Sequence, residues 1–372
     1  MMPPNRILHV ISAPRAEGTV RLVLDWLQCS QSMWQSVFAL SSRPNELTKE
    51  LTRSAAAYHE QPALPNGWKK FPWMIWHARK VTSRDQPDMV ICWNTGFAWA
   101  VLLGARLGGC KRLLAHAGNP PHISGPKSII HSWLNAITLR ILRGQLVCCS
   151  HYVASAYREQ TPFEQRHLHV VWNCAQLERF KPRGGERRRT QSAGGLVVLM
   201  VATLEKHKDH KTLLQAFVMV RQALPLTRLQ LAGEGSLRGV LESQARQLGI
   251  FERVDFLGSC RDVPSLLGQA DLFVFSTTPQ EGLGTVLIEA LASGIPIIAS
   301  DVAACREVLQ GGRWGQLVPA KSPHSLATVI IGNLTKAVRG PDRHALDSYL
   351  ENFTVKAMQA EYLKLVGLVP VR

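Results

Sequence analysis

Two glutamates, Glu281 and Glu289, lie in the segment PQEGLGTVLIEALASGIPIIASD (279–301) with seven residues between them. An apolar strand is expected to end near Ser276; a glycine-bearing loop with Glu281 then leads into a helix containing Glu289. Gly282, Leu283, Gly284 and Thr285 place flexible backbone and unpaired N–H groups at that helix's N-terminus. Such an end favours an anion through its orphan donors and a partial positive charge of about half a unit. Glu289, about one turn inside, can still face the same pocket. The pattern suits an anionic ligand whose hydroxyl groups need carboxylate acceptors.

These residues require strands and helices that end in the right place. Short apolar runs alternate with amphipathic stretches along the whole chain, as in parallel sheets with crossover helices. In the first half RILHVIS (6–12), DMVICW (88–93), RLLAH (112–116) and QLVCCS (145–150) read as strands, with a helix starting at Thr19. Residues 127–143 read as an amphipathic helix, with Ile130, Trp133, Leu134, Ile137 and Ile141 at helical spacing. KPRGGERRRTQSAGG (181–195), with its proline, glycines and basic run, reads as an exposed interdomain linker. Beyond it LVVLMVA, RLQLAG, RVDFLG, DLFVFS and IPIIAS read as a second set of buried strands. Each half reads as a Rossmann-type α/β layer. Ligands bind such sheets outside the C-terminal strand ends, so a cleft between the two layers is the expected site.

The 372 residues suit two domains, and a composition 46% hydrophobic and 19% charged excludes a mostly disordered chain. The net charge is +16, which points to an anionic partner: nucleic acid, a membrane face or a phosphorylated substrate. Residues 1–185 carry 22 basic and 10 acidic side chains, against 21 and 17 in the remainder, and 101–150 holds six Arg/Lys and no acid. Nine of the ten tryptophans also lie in the first half. The eight scattered cysteines show no zinc spacing and read as buried reduced thiols of a cytosolic protein. The run from Met89 to Ala105 is interrupted at Asn94–Gly96 and reads as strand, turn and helix, not as a membrane span of about 20 apolar residues. The N-terminus lacks an apolar core of signal-peptide length.

The segment 279–301 resembles the E-x7-E element of the group 1 (GT4-like) retaining glycosyltransferases, and the likeness extends over the second half and more weakly over the first. VATLEKHKDHKTLLQAF (201–217) is similar to that family's phosphate-binding strand, loop and helix. LAGEGSLRGVLESQARQLGIFERVDFLGS (231–259) is similar to its nucleotide-side segment, and VVWNCAQLERFKP (170–182) to the stretch closing its first domain. The resemblance implies an α/β GT-B fold, two Rossmann-like domains with parallel sheets facing an interdomain cleft. The acceptor-side domain would span 1–183 and the donor domain 184–352, with a C-terminal helix at about 353–372 packing back on the first.

Carried over residue by residue, the resemblance implies that Glu281 lies by the transferred sugar and Glu289 holds the nucleotide ribose. Backbone donors of Gly282, Leu283, Gly284 and Thr285 would meet sugar and diphosphate, and Lys208 would neutralise the leaving diphosphate. His116 matches the first-domain histidine near the sugar, Gly18 a phosphate-loop glycine, and Glu234 in GEG (233–235) stands near the donor or caps a turn. The substrate would be a UDP-, GDP- or ADP-sugar, with no cofactor and no metal. Two departures stand out. Thr203 replaces the family's arginine five positions before Lys208, leaving Lys206 or Lys211 to compensate. Glu17-Gly18 replaces paired glycines, and Glu17 either repels phosphate or orients an acceptor hydroxyl.

NGWKKFPWMIWHARK (66–80) interleaves Trp68, Phe71, Trp73 and Trp76 with Lys69, Lys70, Arg79 and Lys80, and Lys127, Arg140 and Arg143 add to it. Aromatics among cations suit an anionic bilayer interface. The expectation is therefore a cytoplasmic enzyme, peripheral on the inner membrane face, with a glycan or lipid-linked acceptor. A small soluble acceptor and a non-catalytic nucleotide-sugar-binding relative are the alternatives. No nucleic-acid-binding module appears.

Overall fold

The computed structural model describes residues 5–14, 18–30, 32–41, 47–61, 63–123, 125–180, 195–260, 262–336 and 343–368. The chain divides into two compact units, Met1–Cys174 with Val355–Arg372, and Ala175–Thr354. The division therefore falls ahead of the 183/184 boundary expected from the basic stretch, which itself lies outside the described residues, as does Glu17.

The first unit runs β1 (Arg6–Ile11), α1 (Gly18–Cys29), β2 (Trp34–Ala39), α2 (Thr48–Ser54), β3 (Ala57–Glu60), α3 (Lys70–Asp85) and β4 (Met89–Cys92). It continues with α4 (Ala98–Leu107), β5 (Arg112–Ala117), α5 (Pro126–Leu142), β6 (Gln145–Cys148), α6 (His151–Gln160) and β7 (Leu168–Val170). All seven strands are parallel in the order β3-β2-β1-β4-β5-β6-β7. Helices cover both faces of such a sheet, so its strands read as apolar runs. Ile7, Leu8, Val10 and Ile11 are accordingly buried in β1.

The second unit repeats the plan with β8 (Val197–Val201), α7 (His210–Ala223), β9 (Arg228–Ala232), α8 (Arg238–Gln247), β10 (Val254–Gly258), α9 (Val263–Gln269) and β11 (Leu272–Phe275). Then follow α10 (Thr285–Ser293), β12 (Ile297–Ser300), α11 (Ala303–Val308), β13 (Gln316–Val318), α12 (Pro323–Thr335) and α13 (Arg343–Leu350). Its six parallel strands are ordered β10-β9-β8-β11-β12-β13. The strand order reverses between β1 and β4 in one sheet and between β8 and β11 in the other, where loops diverge and leave room for a ligand.

The last helix, α14 (Val355–Leu365), belongs to the first unit. Val355, Met358, Tyr362 and Leu363 join the cluster of Trp26, Leu27, Ile7 and Trp93. Polar contacts fix its register. Ser30 Oγ donates to Gln359 Oε1 at 2.6 Å, and Gln359 Nε2 donates to the Trp26 carbonyl at 3.1 Å. The Tyr362 hydroxyl and His116 Nδ1 share a hydrogen bond of 2.7 Å. Trp93 Nε1 donates to His9 Nδ1 at 3.1 Å, which leaves the His9 proton on Nε2, facing Gln35 Oε1 at 3.1 Å.

Three sequence expectations change. Six cysteines are buried, but Cys29 is exposed and Cys260 half-buried. The strands β2, β3, β7 and β13 were not legible, because WQSVFA buries the polar Gln35 and Ser36, AYHE is polar and only partly buried, and the other two are three residues long. The helix expected at 127–143 is α5, but Ile130, Trp133, Ile137 and Ile141 face solvent instead of the core.

Burial pushes His9 down to about 4, against the pull of the Gln35 bond, and pushes His116 down to about 3. Both rings are neutral in the folded chain and titrate near 6.5 when unfolded. Above pH 6.5 neither costs stability; below it the unfolded chain takes up the protons first. The unfolding free energy of the first unit should therefore fall as pH drops below about 6.5 toward 5, by up to about 1.4 kcal/mol per pH unit for each histidine, seen as a lower urea midpoint. His9→Gln should flatten that slope.

Candidate active site

In the second unit the functional side chains stand on the loops after β8 and β11, either side of the strand-order reversal. Helix α10 starts at Gly284, whose φ of +77° is left-handed and whose added Cβ would come within 3.0 Å of the Phe275 ring. Only glycine fits both demands. The helix ends at Gly294, again left-handed at +68°. No side chain caps its N-terminus and its first turn holds no acid, so its orphan N–H groups keep their positive field. Leu287, Ile288, Ala290 and Leu291 are buried, while Thr285, Val286 and Glu289 are half-buried. Thr285 and Glu289, four apart, thus share the accessible face.

Lys208 and Glu281 are brought together. The ammonium is bonded to Glu281 Oε2, with 15% and 7% of the two side chains exposed. It also stands 5.2 Å from the Phe275 ring centroid, within reach of a cation–π attraction. Burial pushes the Glu281 carboxyl up, but Lys208, by charge and hydrogen bond, then His207 and the Gly282 N–H, bring it below the usual carboxylate range. Glu281 is a carboxylate at neutral pH and a poor proton acceptor.

The two loops are latched to each other. Thr277 Oγ1 donates to the His207 carbonyl at 2.9 Å, and the Thr278 N–H donates to the same oxygen at 3.0 Å. Ser276 Oγ donates to the Asp209 carbonyl at 3.1 Å, and the Thr277 N–H to Ser300 Oγ at 2.9 Å. Asp209 takes a left-handed φ of +40° where the Lys206–Lys208 turn meets α7. Thr277 is fully buried, with its hydroxyl 3.4 Å from Glu281 Oε2. None of these latches was read from the sequence. Their trace was the polar triplet Ser276-Thr277-Thr278 following an apolar strand.

The remaining positions fall elsewhere. Gly233 and Gly235 let the loop after β9 press on the loop after β8, since added Cβ atoms would lie 2.0 Å from the Ala202 carbonyl oxygen and 2.5 Å from that of Leu204. The Glu234 carbonyl accepts from the Leu204 N–H at 3.0 Å, but its side chain turns away to pair with Arg238. Thr203 is half-buried beside this junction, and Lys206 and Lys211 are exposed. Glu205, unforeseen, accepts from Ser236 N and Oγ at 2.9 and 2.8 Å.

In the first unit, Gly18 opens α1 with nothing within 4 Å of an added Cβ. His116 lies one residue before the end of β5, buried, and its Nε2 has no hydrogen-bond partner. That nitrogen lies 3.5 Å from where a Cβ on Gly118 would be, with Thr19 Oγ1 3.8 Å from the same point.

Two parallel-sheet α/β units in one chain, each with a strand-order reversal, are the architecture of the GT-B class. Solved structures share it: Anabaena Alr3699/HepE in complex with UDP and glucose superposes with a TM-score of 0.76 at 17% identity, covering 98% of this chain and 99% of that one. Residues 17–179 match the model of Glycosyltransferase Family 4 and residues 186–353 that of Glycosyl transferases group 1. The chain belongs to the group 1, GT4-like glycosyltransferases and is a nucleotide-sugar-dependent enzyme of that family. It is 26% identical over 312 residues to EpsF of Bacillus subtilis (strain 168), covering 80% of this chain and 79% of that protein. The Vi polysaccharide biosynthesis protein VipC/TviE of Salmonella typhi is 25% identical over 300 residues, 76% of this chain and 51% of that protein.

Removing one partner of a buried ion pair strands the other, so Lys208→Ala should destabilise the second unit by about 3–5 kcal/mol at pH 7. The same variant should lose less at acid pH: Glu281 contributes stability above its ordinary 4.5 that fades as pH falls toward its lowered folded value. Urea titrations at pH 7 and 4 would measure both. Thr277→Val keeps the volume and removes the latch, and should slow sugar transfer about fivefold to tenfold. Thr277→Ser should restore the rate.

Proposed function

We propose that this enzyme moves a sugar, with retention and without a metal ion, from a nucleotide-sugar to a glycan or lipid-linked acceptor in cell-surface polysaccharide or glycoconjugate synthesis. The observation that carries the reading is the buried Lys208–Glu281 pair in the loops beside the uncapped N-terminus of α10.

In the reaction the bond from the anomeric carbon to the phosphate oxygen breaks, and its electron pair leaves with the diphosphate. In this reading the backbone N–H groups of the 282–285 loop at the start of α10, with the Lys208 ammonium, stabilise that charge without reorganising. Glu281, held ionised, faces the oxocarbenium-like sugar and accepts its hydroxyl protons in hydrogen bonds. The acceptor oxygen attacks from the leaving-group face and forms the new bond to the anomeric carbon, while its proton passes to the departing phosphate. Glu289, on the same face of α10 as Thr285, accepts the ribose hydroxyls. In the first unit, the unpartnered His116 Nε2 offers the sugar a hydrogen-bonding nitrogen.

The relatives support this reading. HepE holds UDP and glucose, and VipC/TviE is named for polysaccharide biosynthesis. Phosphatidyl-myo-inositol mannosyltransferase of Mycobacterium tuberculosis (strain ATCC 25618 / H37Rv), 35% identical over 133 residues, carries a lipid acceptor in its name. The enzyme would work in the cytoplasm at the inner face of the membrane.

A thermal-shift panel of UDP, GDP and ADP with their sugars should identify the donor. Turnover with that donor should then survive EDTA, and proton NMR of the product should show the donor's anomeric configuration. Glu281→Gln should lower transfer at least about tenfold, the loss of one charge-assisted contact to the reacting sugar. An inverted product, or activity abolished by EDTA and restored by a divalent ion, would overturn the mechanism.

A further inference from the structure

Tyr362 and His116 stand 246 positions apart in the chain and meet in the centre of the first unit, with the Tyr362 hydroxyl 2.7 Å from His116 Nδ1. Both side chains are buried. The Trp93 ring lies 4.8 Å from the imidazole centroid and 5.9 Å from that of the phenol, and Trp26 meets the phenol edge-on at 5.2 Å. Among the described residues the hydroxyl has no second hydrogen-bond partner, and His116 Nε2 has none at all. One aromatic wall and one polar contact therefore hold the imidazole.

A neutral imidazole carries its proton on one nitrogen, and the bond made by the other decides which. Burial keeps His116 neutral, pushed down to about 3. Were the proton on Nδ1 and donated to Tyr362, the phenolic O–H would be left without an acceptor, with or without a ligand. When the phenolic O–H donates to the Nδ1 lone pair, it is paired and the imidazole proton sits on Nε2. Buried donors without acceptors are rare, so the second arrangement holds. His9 obeys the same rule: Trp93 Nε1 donates to its Nδ1, and Gln35 Oε1 faces the proton on Nε2. At His116 the Nε2 proton has no such acceptor among the described residues. A Cβ on Gly118 would lie 3.5 Å from that nitrogen and 3.8 Å from Thr19 Oγ1, which places it at the corner between the loop after β5 and the start of α1. That corner belongs to the C-terminal rim of the sheet, where ligands bind in such folds.

We propose that Tyr362 is a positioning residue for sugar transfer: its hydroxyl donates to His116 Nδ1, fixes the imidazole proton on Nε2, and so makes His116 a hydrogen-bond donor to a hydroxyl oxygen of the transferred sugar. This role rests on the reading in which His116 meets the sugar, and adds which residue sets its tautomer and which way the bond runs. The direction matters chemically. The other tautomer would turn a lone pair toward the sugar and demand a hydroxyl proton instead. A protonated ring would set a cation against the oxocarbenium-like charge. A neutral N–H avoids both, and leaves the sugar hydroxyl's own proton free for another acceptor. Without the Tyr362 hydroxyl both tautomers become open to the ring, and only the fraction with its proton on Nε2 is competent.

The tautomer is read without turnover, by proton–nitrogen correlation NMR of the full chain carrying isotope-labelled histidine, the His116 signals being those lost in His116→Gln. The wild type should hold the His116 proton on Nε2. Tyr362→Phe, which keeps the ring and its packing, should show both nitrogens partly protonated. With the donor found by thermal shift, Tyr362→Phe should lower kcat about fivefold to tenfold, the loss of one hydrogen bond. The comparison that separates positioning from packing uses the His116→Gln background. A glutamine amide offers an N–H near the same place but has no tautomers, so adding Tyr362→Phe there should change the rate by less than about twofold. An equal loss in both backgrounds would mean that Tyr362 only packs, and would overturn the proposal. So would a wild-type proton on Nδ1, or a Tyr362→Phe enzyme with the wild-type rate. An enzyme that transfers no sugar but loses its Nε2 proton in Tyr362→Phe would sink the catalytic reading of His116 and leave the hold of Tyr362 on it standing.

Discussion

The ion pair between Lys208 and Glu281 sets the terms for the second unit's active face. Removing a carboxylate and an ammonium from water costs several kcal/mol for each ion. The cost is offset only when the partners meet in good geometry, and Glu281 lies in a loop while Lys208 closes a single 3-10 turn. Geometry is supplied by the strand ends: β8 delivers the turn with Lys208, β11 delivers the loop with Glu281. The hydroxyls of Ser276 and Thr277 clamp one to the other. Phe275 does double duty, its ring closing under the ammonium and forbidding any residue but glycine at 284. Catalytic charge and helix start are thereby fixed by the same aromatic ring.

That coupling explains what could be read in advance. Apolar runs such as LVVLMVA and IPIIAS announced their strands because a sheet covered on both faces demands them. Gly284, in the loop 282–285, announced the start of α10. Glu281 and Lys208 were visible as residue types within a family-like pattern. Their mutual bond was not, because 72 residues lie between them and only the β8–β11 adjacency brings them together. Thr277 was invisible for a related reason. A threonine after a strand is ordinary, and its role rests on a backbone carbonyl, which no sequence pattern displays. At Glu234 the flanking glycines make a tight junction that the sequence did not display, and the carboxylate between them pairs with Arg238.

The first unit shows how periodicity misleads. The spacing of Ile130, Trp133, Ile137 and Ile141 specified a helix correctly, yet the side facing the core is Asn135, Ala136 and Leu139. Period determines that a face exists; it does not determine what covers it. Small Ala136 and a doubly bonded Asn135 let α5 sit close on α4, while its bulky residues are left outward. The positive balance of the first half is likewise informative through placement. Lys70 stands over the Phe71 ring and Lys80 over the exposed Trp76 ring.

Helix α14 closes a loop in the chain's own history. Residues 355–368 complete a core whose other walls were made before residue 175, and everything between belongs to the second unit. During synthesis the second unit has all its strands before α14 emerges, whereas Trp26, Trp93 and His116 must wait for Tyr362 to cover them. The domain translated first is therefore the one finished last. Until α14 emerges its aromatic centre lacks Tyr362, and a chain cut ahead of α14 would forfeit the first domain rather than the second.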